Sequence, residues 1–406
     1  MLHVRSWPTA ILHLDGDAFF ASVVQAVHPE LKDKPVVTGK ERGIATAISY
    51  EAKKYGIHRA MTMWEIKKRC PQCIIIDSDY QLYHLFSQKM FAILRSFSPV
   101  VEEYSIDEGF ADIKGLRQPF HMSYEQIGKE IRDSVEKSLG ISVSVGVSLT
   151  KSLAKLASSS NKPHGLIVVN GRDIERLLAR SPIQTVWGIG ENTRALLKKY
   201  NVDTALDFVK KQEEWVTQKL SKPFVEIWHE LRGEMIYALS TEAKTTYQSI
   251  SDTQTYRPTR EYDVWWSRIL FHIEAAFKKA RKFNYQVGRI YIFLKTQEFT
   301  YYGTEVKFSP KISHPALVKD EVKKYFNQIY KKNILYRSAG CTISDLEDRQ
   351  IIQESLFDIG DFKKEKLLKV YPLYDAGKIN FGTSLFDQRE VQKPKEKRLV
   401  IPLLSV

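Results

Sequence analysis

Cysteine is scarce in this chain, three residues in 406, and that is too few for a disulfide framework. Cys70 and Cys73 make a C-x-x-C, but no second pair and no histidine cluster lies near them in the sequence. Two buried, unligated thiols are expected there rather than zinc ligands. Long apolar runs are missing too: no stretch of eighteen apolar residues occurs, so no membrane span is expected. No basic-then-apolar leader opens the chain, which makes a cytoplasmic location without a signal peptide the default expectation. Acidic charge is the third deficit, with 48 Asp and Glu against 61 Lys and Arg and a net charge of +13. The excess is uneven. Residues 241–350 hold 19 basic and 12 acidic side chains, and a positive field gathered in one segment suits a polyanion. Burying a chain of this length takes several cores, roughly two to four domains.

What is present is organised around YSIDEGFAD, Tyr104–Asp112. Strand-like runs flank a tight turn that carries the adjacent carboxylates Asp107 and Glu108. Taken alone, such a pair also fits a solvated turn. A second acidic site stands near the N-terminus, where Asp15 ends the apolar strand Ala10–Asp15 and a helix, Ala18–His28, follows. Between the two sites lies a compact region, 30–78, read as strands Pro35–Val37 and Ile44–Ser49, a helix from Tyr50, a capped helix opened by Thr62 with Glu65, and a strand Cys73–Asp77. A long amphipathic helix covers Gln81–Phe97. After the hairpin come a helix capped by Ser123 and Gln126 and stopped by Gly140, then the alternating strand ISVSVGVS.

With region 30–78 set aside as an insertion, the order is β-α-β-β-α-β, the split, ferredoxin-like motif. Its first two strands run parallel with the third antiparallel between them. The end of the first strand and the tip of the hairpin therefore meet at one sheet edge, which brings Asp15, Asp107 and Glu108 together. Three such carboxylates hold two divalent cations about 3.5–4 Å apart, an arrangement suited to phosphoryl or nucleotidyl transfer. Main-chain carbonyl groups beside Asp15 could supply a further ligand, and Gly16 leaves room for one. Asp17 is left outside the site, because the helix begins there.

Ser148–Gly165 carries Lys151, Lys155 and Lys162 among small residues, either a solvated helix face or, for the lysine before Pro163, a phosphate contact. Gly188 and Gly190 sit in a tight turn before the basic helix of ENTRALLKKY. That is the pattern of a helix-hairpin-helix offering backbone N–H groups to a nucleic-acid phosphate, with a plain helix-to-helix turn as the other reading.

LDGDAFFASV, TAISYEAKKYG, YSIDE, SVGVSLTKSLAKLASSSNKPHG and WGIGENT together resemble the Y-family DNA polymerases of the DinB, polymerase IV type. The resemblance runs collinearly from about Ile11 to about Asp348. It implies an α+β multidomain chain with right-hand architecture: a ferredoxin-like palm (1–29 and 79–165), small fingers (30–78), a helix-hairpin-helix thumb (166–240), a linker (241–248), an α/β little finger (249–350) and a tail (351–406). It further implies error-prone, template-directed transfer of dNTPs to a primer 3′-OH by a monomer, with two Mg²⁺ ions (Mn²⁺ as a substitute) and no proofreading nuclease.

Position by position, the resemblance makes Asp15, Asp107 and Glu108 the catalytic metal ligands, with the Gly16 carbonyl as another. Phe20 falls at the steric gate against a ribose 2′-OH, and Phe19 would pack on the sugar. Tyr50, Lys53 and Lys162 would hold the triphosphate. Lys53 stands where Arg is common, Ala47 where a Thr hydroxyl is frequent, and Val24 where the helix usually has Glu. In the tail, Gln353, Leu356 and Phe357 of QESLFD match the peptide by which bacterial polymerases dock on the sliding clamp. A second SLFD, Ser384–Asp387, has Gly382 where the Gln would be, and either copy could instead pack on its own domain. Two rival readings are a nucleotide cyclase with a similar palm, which has no need of the Gly188–Gly190 turn or the basic segment, and a catalytically silent scaffold, which would have lost its carboxylates.

Overall fold

The computed structural model describes residues 7–241, 246–348 and 370–373. The chain divides into two compact units, Met1–Glu242 and Ala243–Leu399.

The first unit begins with β1, Ile11–Gly16, and α1, Phe19–Val27. Next come β2 (Val36–Thr38), α2 (Tyr50–Lys53), α3 (Met63–Arg69) and β3 (Ile74–Ile76). Then α4 (Tyr80–Phe97) leads into the hairpin of β4 (Val101–Glu103) and β5 (Glu108–Asp112). After α5 (Arg117–Phe120) come α6 (Tyr124–Leu139), β6 (Val143–Ser148), α7 (Lys151–Ser159) and β7 (Leu166–Val168). The unit closes with five short helices: α8 (Ile174–Arg180), α9 (Glu191–Lys198), α10 (Ala205–Val209), α11 (Glu213–Lys219) and α12 (Lys222–Leu231).

The central sheet runs β4-β5-β1-β6-β7. β5 pairs antiparallel with both β4 and β1, so β4 and β1 are parallel with β5 between them. This is the split βαβ arrangement, extended by β7, which runs parallel to β6. Alternation along β1 divides its side chains. Leu12 and Leu14 join α4 and α6 residues such as Met90 and Ile131 in the main core. Ile11, His13 and Asp15 face the other way, where Ile11 packs with Phe110 and with Ala154 of α7.

α7 approaches this second face closely because Gly146 lies beneath it. A Cβ there would fall 2.1 Å from the Ala154 carbonyl oxygen and 2.4 Å from the Ser158 nitrogen. Both clashes are with backbone, which has no room to yield.

Both capping boxes read from the sequence are formed, Thr62 with Glu65 and Ser123 with Gln126. In residues 30–78 the ladder is shorter than the alternation implied. Ile44–Ser49 makes only isolated bridges, Val37 to Ile48 and Ile44 to Thr62. Side-chain hydroxyls supply part of the pairing there: Val36 N donates to Ser49 Oγ at 3.1 Å, and the Thr38 and Thr46 hydroxyls meet at 2.9 Å. Such local bonds compete with a regular strand. Cys70 and Cys73 are free and buried in the small core of this region.

Among its described residues the second unit is one sheet, β10-β9-β11-β8, packed with the helices α13 and α14. Its elements are β8 (Ser249–Thr259), α13 (Tyr262–Lys282), β9 (Tyr285–Thr296), β10 (Tyr301–Ile312), α14 (Lys319–Ile329) and β11 (Tyr336–Asp348). Ile269, Ile273, Ala276 and Ala280 form the buried stripe of α13 against Ile290, Ile292 and Leu294 of β9. The opposite sheet face exposes Tyr291 and Tyr301, with Lys295 Nζ 4.7 Å from the Tyr301 ring centroid. Tyr371, from a stretch the sequence left as tail, is buried against this unit. Its ring lies 4.3 Å from His314, and its hydroxyl donates to Glu274 at 3.2 Å.

Candidate active site

Asp15 and Glu108 stand directly opposite each other, as register partners on β1 and β5. Asp107 belongs to the turn before β5. Its carbonyl accepts a 2.7 Å bond from Gly16 N, and its carboxylate accepts from Ser105 Oγ at 2.6 Å. The main-chain bond ties the hairpin tip to the end of β1. One ligand atom each from His13, Asp15 and Glu108 lie within 4.8 Å of one another, with His13 buried and the two carboxylates partly so. Asp107 is not in that group of three, its carboxylate being held by Ser105.

Two lysines enter from α7 and the loop after it. Lys155 pairs with Glu108 and Lys162 with Asp15. Neither Lys155 nor Lys151 lies on a solvated face, since Lys151 is buried and donates to both Glu102 oxygens at 2.8 Å. Aromatic rings surround the Lys155 head: its Nζ is 5.2 Å from the Tyr104 centroid and 5.9 Å from that of Trp187.

The two facing carboxylates are pushed apart in acidity. Burial, with the nearby charges of Glu108 and Asp107, lifts Asp15 to about 6 against the attraction of Lys162. Burial would raise Glu108 as well, but bonds from His13 and Lys155 outweigh it and hold the group at about 2. His13, fully enclosed, is lowered to about 4, chiefly by burial and despite its bond to Glu108. A neutral ring beside an ionised carboxylate follows.

Asp17 is fully buried, and its carboxylate accepts from the Ser142 and Ser144 hydroxyls and from His164 N, at 2.8–3.0 Å. Four bonds turn it into a brace between β1, β6 and the loop bearing Lys162. Phe20 lies half-buried against Tyr83 and Tyr80. Phe19 differs from its expectation. It is 3% exposed, in the main core with Cδ2 packed under Gly16. The close turn explains this, for Ala18 adopts a left-handed φ of 48° that sends Phe19 inward.

Tyr50 and Lys53 lie together, with the Lys53 Nζ 3.9 Å from the Tyr50 centroid. The Tyr50 phenol is raised by burial and then by Asp17 and Asp15, while the Lys53 amine is lowered by burial and then by Lys162. Both therefore sit within electrostatic reach of the carboxylates. Gly188 adopts φ +82° in the turn before α9, and Gly190 caps that helix. The element before this turn is a single 3-10 turn, Ile183–Thr185. Trp187, in the same turn, packs edge-on to Tyr104 at 5.2 Å and against Tyr237 at 5.6 Å. Gln353, Leu356 and Phe357 lie outside the described residues.

Sequence reasoning missed His13 and Ser158. The available signal was the period of β1, which puts His13 on the same face as Asp15, two residues away.

Comparison with known proteins agrees with this geometry. The profile of the impB/mucB/samB family matches residues 14–159, and that of its C-terminal domain matches 247–356. A DNA polymerase IV of Streptococcus pyogenes is 30% identical over 361 residues, covering 84% of this chain and 94% of the relative. A DNA polymerase IV of Dehalococcoides mccartyi is 41% identical over 197 residues, a match that spans only 50% of that relative. Among solved structures, a Y-family DNA polymerase chimera superposes with a TM-score of 0.68 at 22% identity, over 84% of this chain and 99% of the other. At that identity the likeness concerns the fold, and the fold is shared. Among the described residues no helix is long and apolar enough to cross a membrane.

Proposed function

The chain belongs to the Y-family of DNA polymerases, in the DinB or polymerase IV branch, and from that membership we propose that it extends primers on damaged templates by nucleotidyl transfer from dNTPs. The observation that carries the reading is Asp15 opposite Glu108 at the open end of a split βαβ sheet. The donor set fits hard divalent cations, being carboxylate oxygens with the backbone carbonyl of Gly16 next to Asp15. Asp15, Glu108, Asp107 and the Gly16 carbonyl would hold two Mg²⁺ ions, with Mn²⁺ able to substitute. When bound, the ions supply charge for the attacking hydroxyl and the leaving pyrophosphate.

The chain's own residues do the rest. Lys162 and Lys155, which partner the carboxylates, supply positive charge for the triphosphate and the primer end. Tyr50 and Lys53 would bind the outer phosphates from α2. Phe20, backed by Tyr83, would close the space a 2′-OH needs. The backbone N–H groups at Gly188–Gly190 would hold a DNA phosphate, and the exposed face of β9 and β10 would track the duplex as the little finger. Gln353, Leu356 and Phe357 would tether the enzyme to a sliding clamp. A cyclase reading is not favoured by the DNA polymerase IV relatives, nor a silent scaffold by a retained carboxylate set.

The test is primer extension with Mg²⁺. Asp15→Ala or Asp107→Ala should reduce extension to background while DNA affinity stays within about threefold, because the loss falls on transition-state charge. Near wild-type extension in either variant would overturn the assignment.

A further inference from the structure

His13 is fully buried between the sheet and α7, and both of its ring nitrogens are engaged. Nε2 lies 3.1 Å from Glu108 Oε2, and Nδ1 lies 2.7 Å from Ser158 Oγ. An ionised carboxylate only accepts, so Nε2 must carry a proton. Nδ1 meets the Ser158 hydroxyl, so both ends of the ring are anchored. Ser158 Oγ also donates to the Lys155 carbonyl at 2.9 Å, which fixes the hydroxyl on α7.

We propose that Ser158 and His13 form a positioning pair for Glu108, in which the Ser158 hydroxyl anchors the His13 ring at Nδ1 and the Nε2–H holds one carboxylate oxygen. Lys155 approaches the same oxygen, Oε2, so both partners act on one oxygen of the carboxylate. His13 is a brace and not a ligand, since neither nitrogen is left for a cation. The geometry depends on the close approach of α7. Gly146 is the register partner of His13 on β6, and it is over Gly146 that Ser158 comes near the sheet. A carboxylate held by such an outer partner keeps its orientation when a cation arrives, and loss of such partners costs about 10–100-fold in metal affinity or activity.

The inference rests on the reading of Glu108 as a metal ligand, and two measurements separate the two. First, ¹⁵N–¹H correlation of the histidine rings in the full-length, metal-free chain at neutral pH should show His13 carrying a proton at Nε2. Ser158→Ala should shift that ring's signals, because the partner of Nδ1 is lost. A ring with no proton at Nε2 would overturn the proposal whatever the enzyme catalyses. Second, Mn²⁺ binding followed by electron paramagnetic resonance should weaken roughly tenfold or more in His13→Leu. In His13→Gln, whose amide keeps a donor, the loss should be within about threefold, and kcat should recover in parallel. Should His13→Leu not fold, Ser158→Ala carries the same test, with an expected loss of roughly three- to tenfold in Mn²⁺ affinity. Unchanged Mn²⁺ affinity in a folded variant refutes the brace. A proton at Nε2 and weakened Mn²⁺ binding in a chain that extends no primer would uphold the brace and reject the polymerase reading.

Discussion

The ring of Phe20 lies flat on that of Tyr83, with centroids 4.1 Å apart and planes 9° from parallel. Tyr83 is itself fully buried on α4, and Tyr80 meets Phe20 edge-on at 5.8 Å. Phe20 is thus backed by a wall that cannot retreat. Phe20→Ala should lower the discrimination between dNTP and rNTP, measured as a ratio of kcat/KM, by roughly a hundredfold. Tyr83→Leu, which softens the wall and leaves the gate, should give a smaller loss of about tenfold. Unchanged selectivity in Phe20→Ala would put the gate elsewhere.

Acidity at the site sets a pH window for cation binding. Asp15 titrates near 6, against 3.8 in an unfolded chain. The folded state therefore binds the proton more tightly. That term favours folding fully below the unfolded value and is lost as pH rises through 6. Cation binding follows the opposite course, since it needs the carboxylate. Mn²⁺ affinity should fall about tenfold per pH unit below 6 and level off above 7. Glu108, held near 2, stays ionised throughout and adds no slope. In Asp15→Asn the slope should vanish along with most of the affinity. A flat profile for the unaltered chain from pH 5 to 7 would contradict the raised acidity.

The basic excess of the second unit predicts a salt dependence. A chain ending at residue 240 should bind primer-template more weakly and with a shallower slope of log K against log[salt]. The slope should shrink by about 0.9 for each phosphate that the shorter chain no longer neutralises. Equal slopes for the two chains would mean that the second unit does not track the backbone.

Tethering is tested on the tail. Leu356→Ala with Phe357→Ala should abolish clamp-stimulated synthesis and leave clamp-free extension unchanged, because a tether raises effective concentration without altering the reacting centre. The matching change at Leu385 and Phe386 should have little effect. Loss of stimulation in the second variant alone would mean the clamp reads the other copy.

The pairing of Asp15 with Glu108 is legible in the sequence because strand order alone decides it. Once β-α-β-β-α-β is recognised, both carboxylates must reach the same edge, and side-chain detail is not needed. Ser49, Thr38 and Thr46 mark where legibility ends in residues 30–78. Their hydroxyls bond to backbone and to one another, and hydrophobic periodicity carries no record of such bonds. Phe19 departs from its expected place for a similar reason, since the left-handed turn at Ala18 reverses the facing that a straight strand-to-helix passage would give. His13 escapes notice because an isolated histidine in an apolar strand reads as core. Its role depends on Ser158, 145 positions away, and no local pattern joins the two.

One face of α7 presents Lys151, Lys155 and Ser158, at spacings of four and then three residues. They meet Glu102, Glu108 and His13 in turn. The first turn of the same helix is gripped from α12: Ser152 N donates to the Glu230 carboxylate at 3.0 Å, and Thr150 Oγ1 to the Glu230 carbonyl at 2.9 Å. α7 is thus geared like a push-rod between the helical region and the hairpin. A slide of one residue, about 1.5 Å along its axis, would unseat all three pairings together. The seat of α7 on α12 and its three pairings at the sheet thus stand or fall as one register.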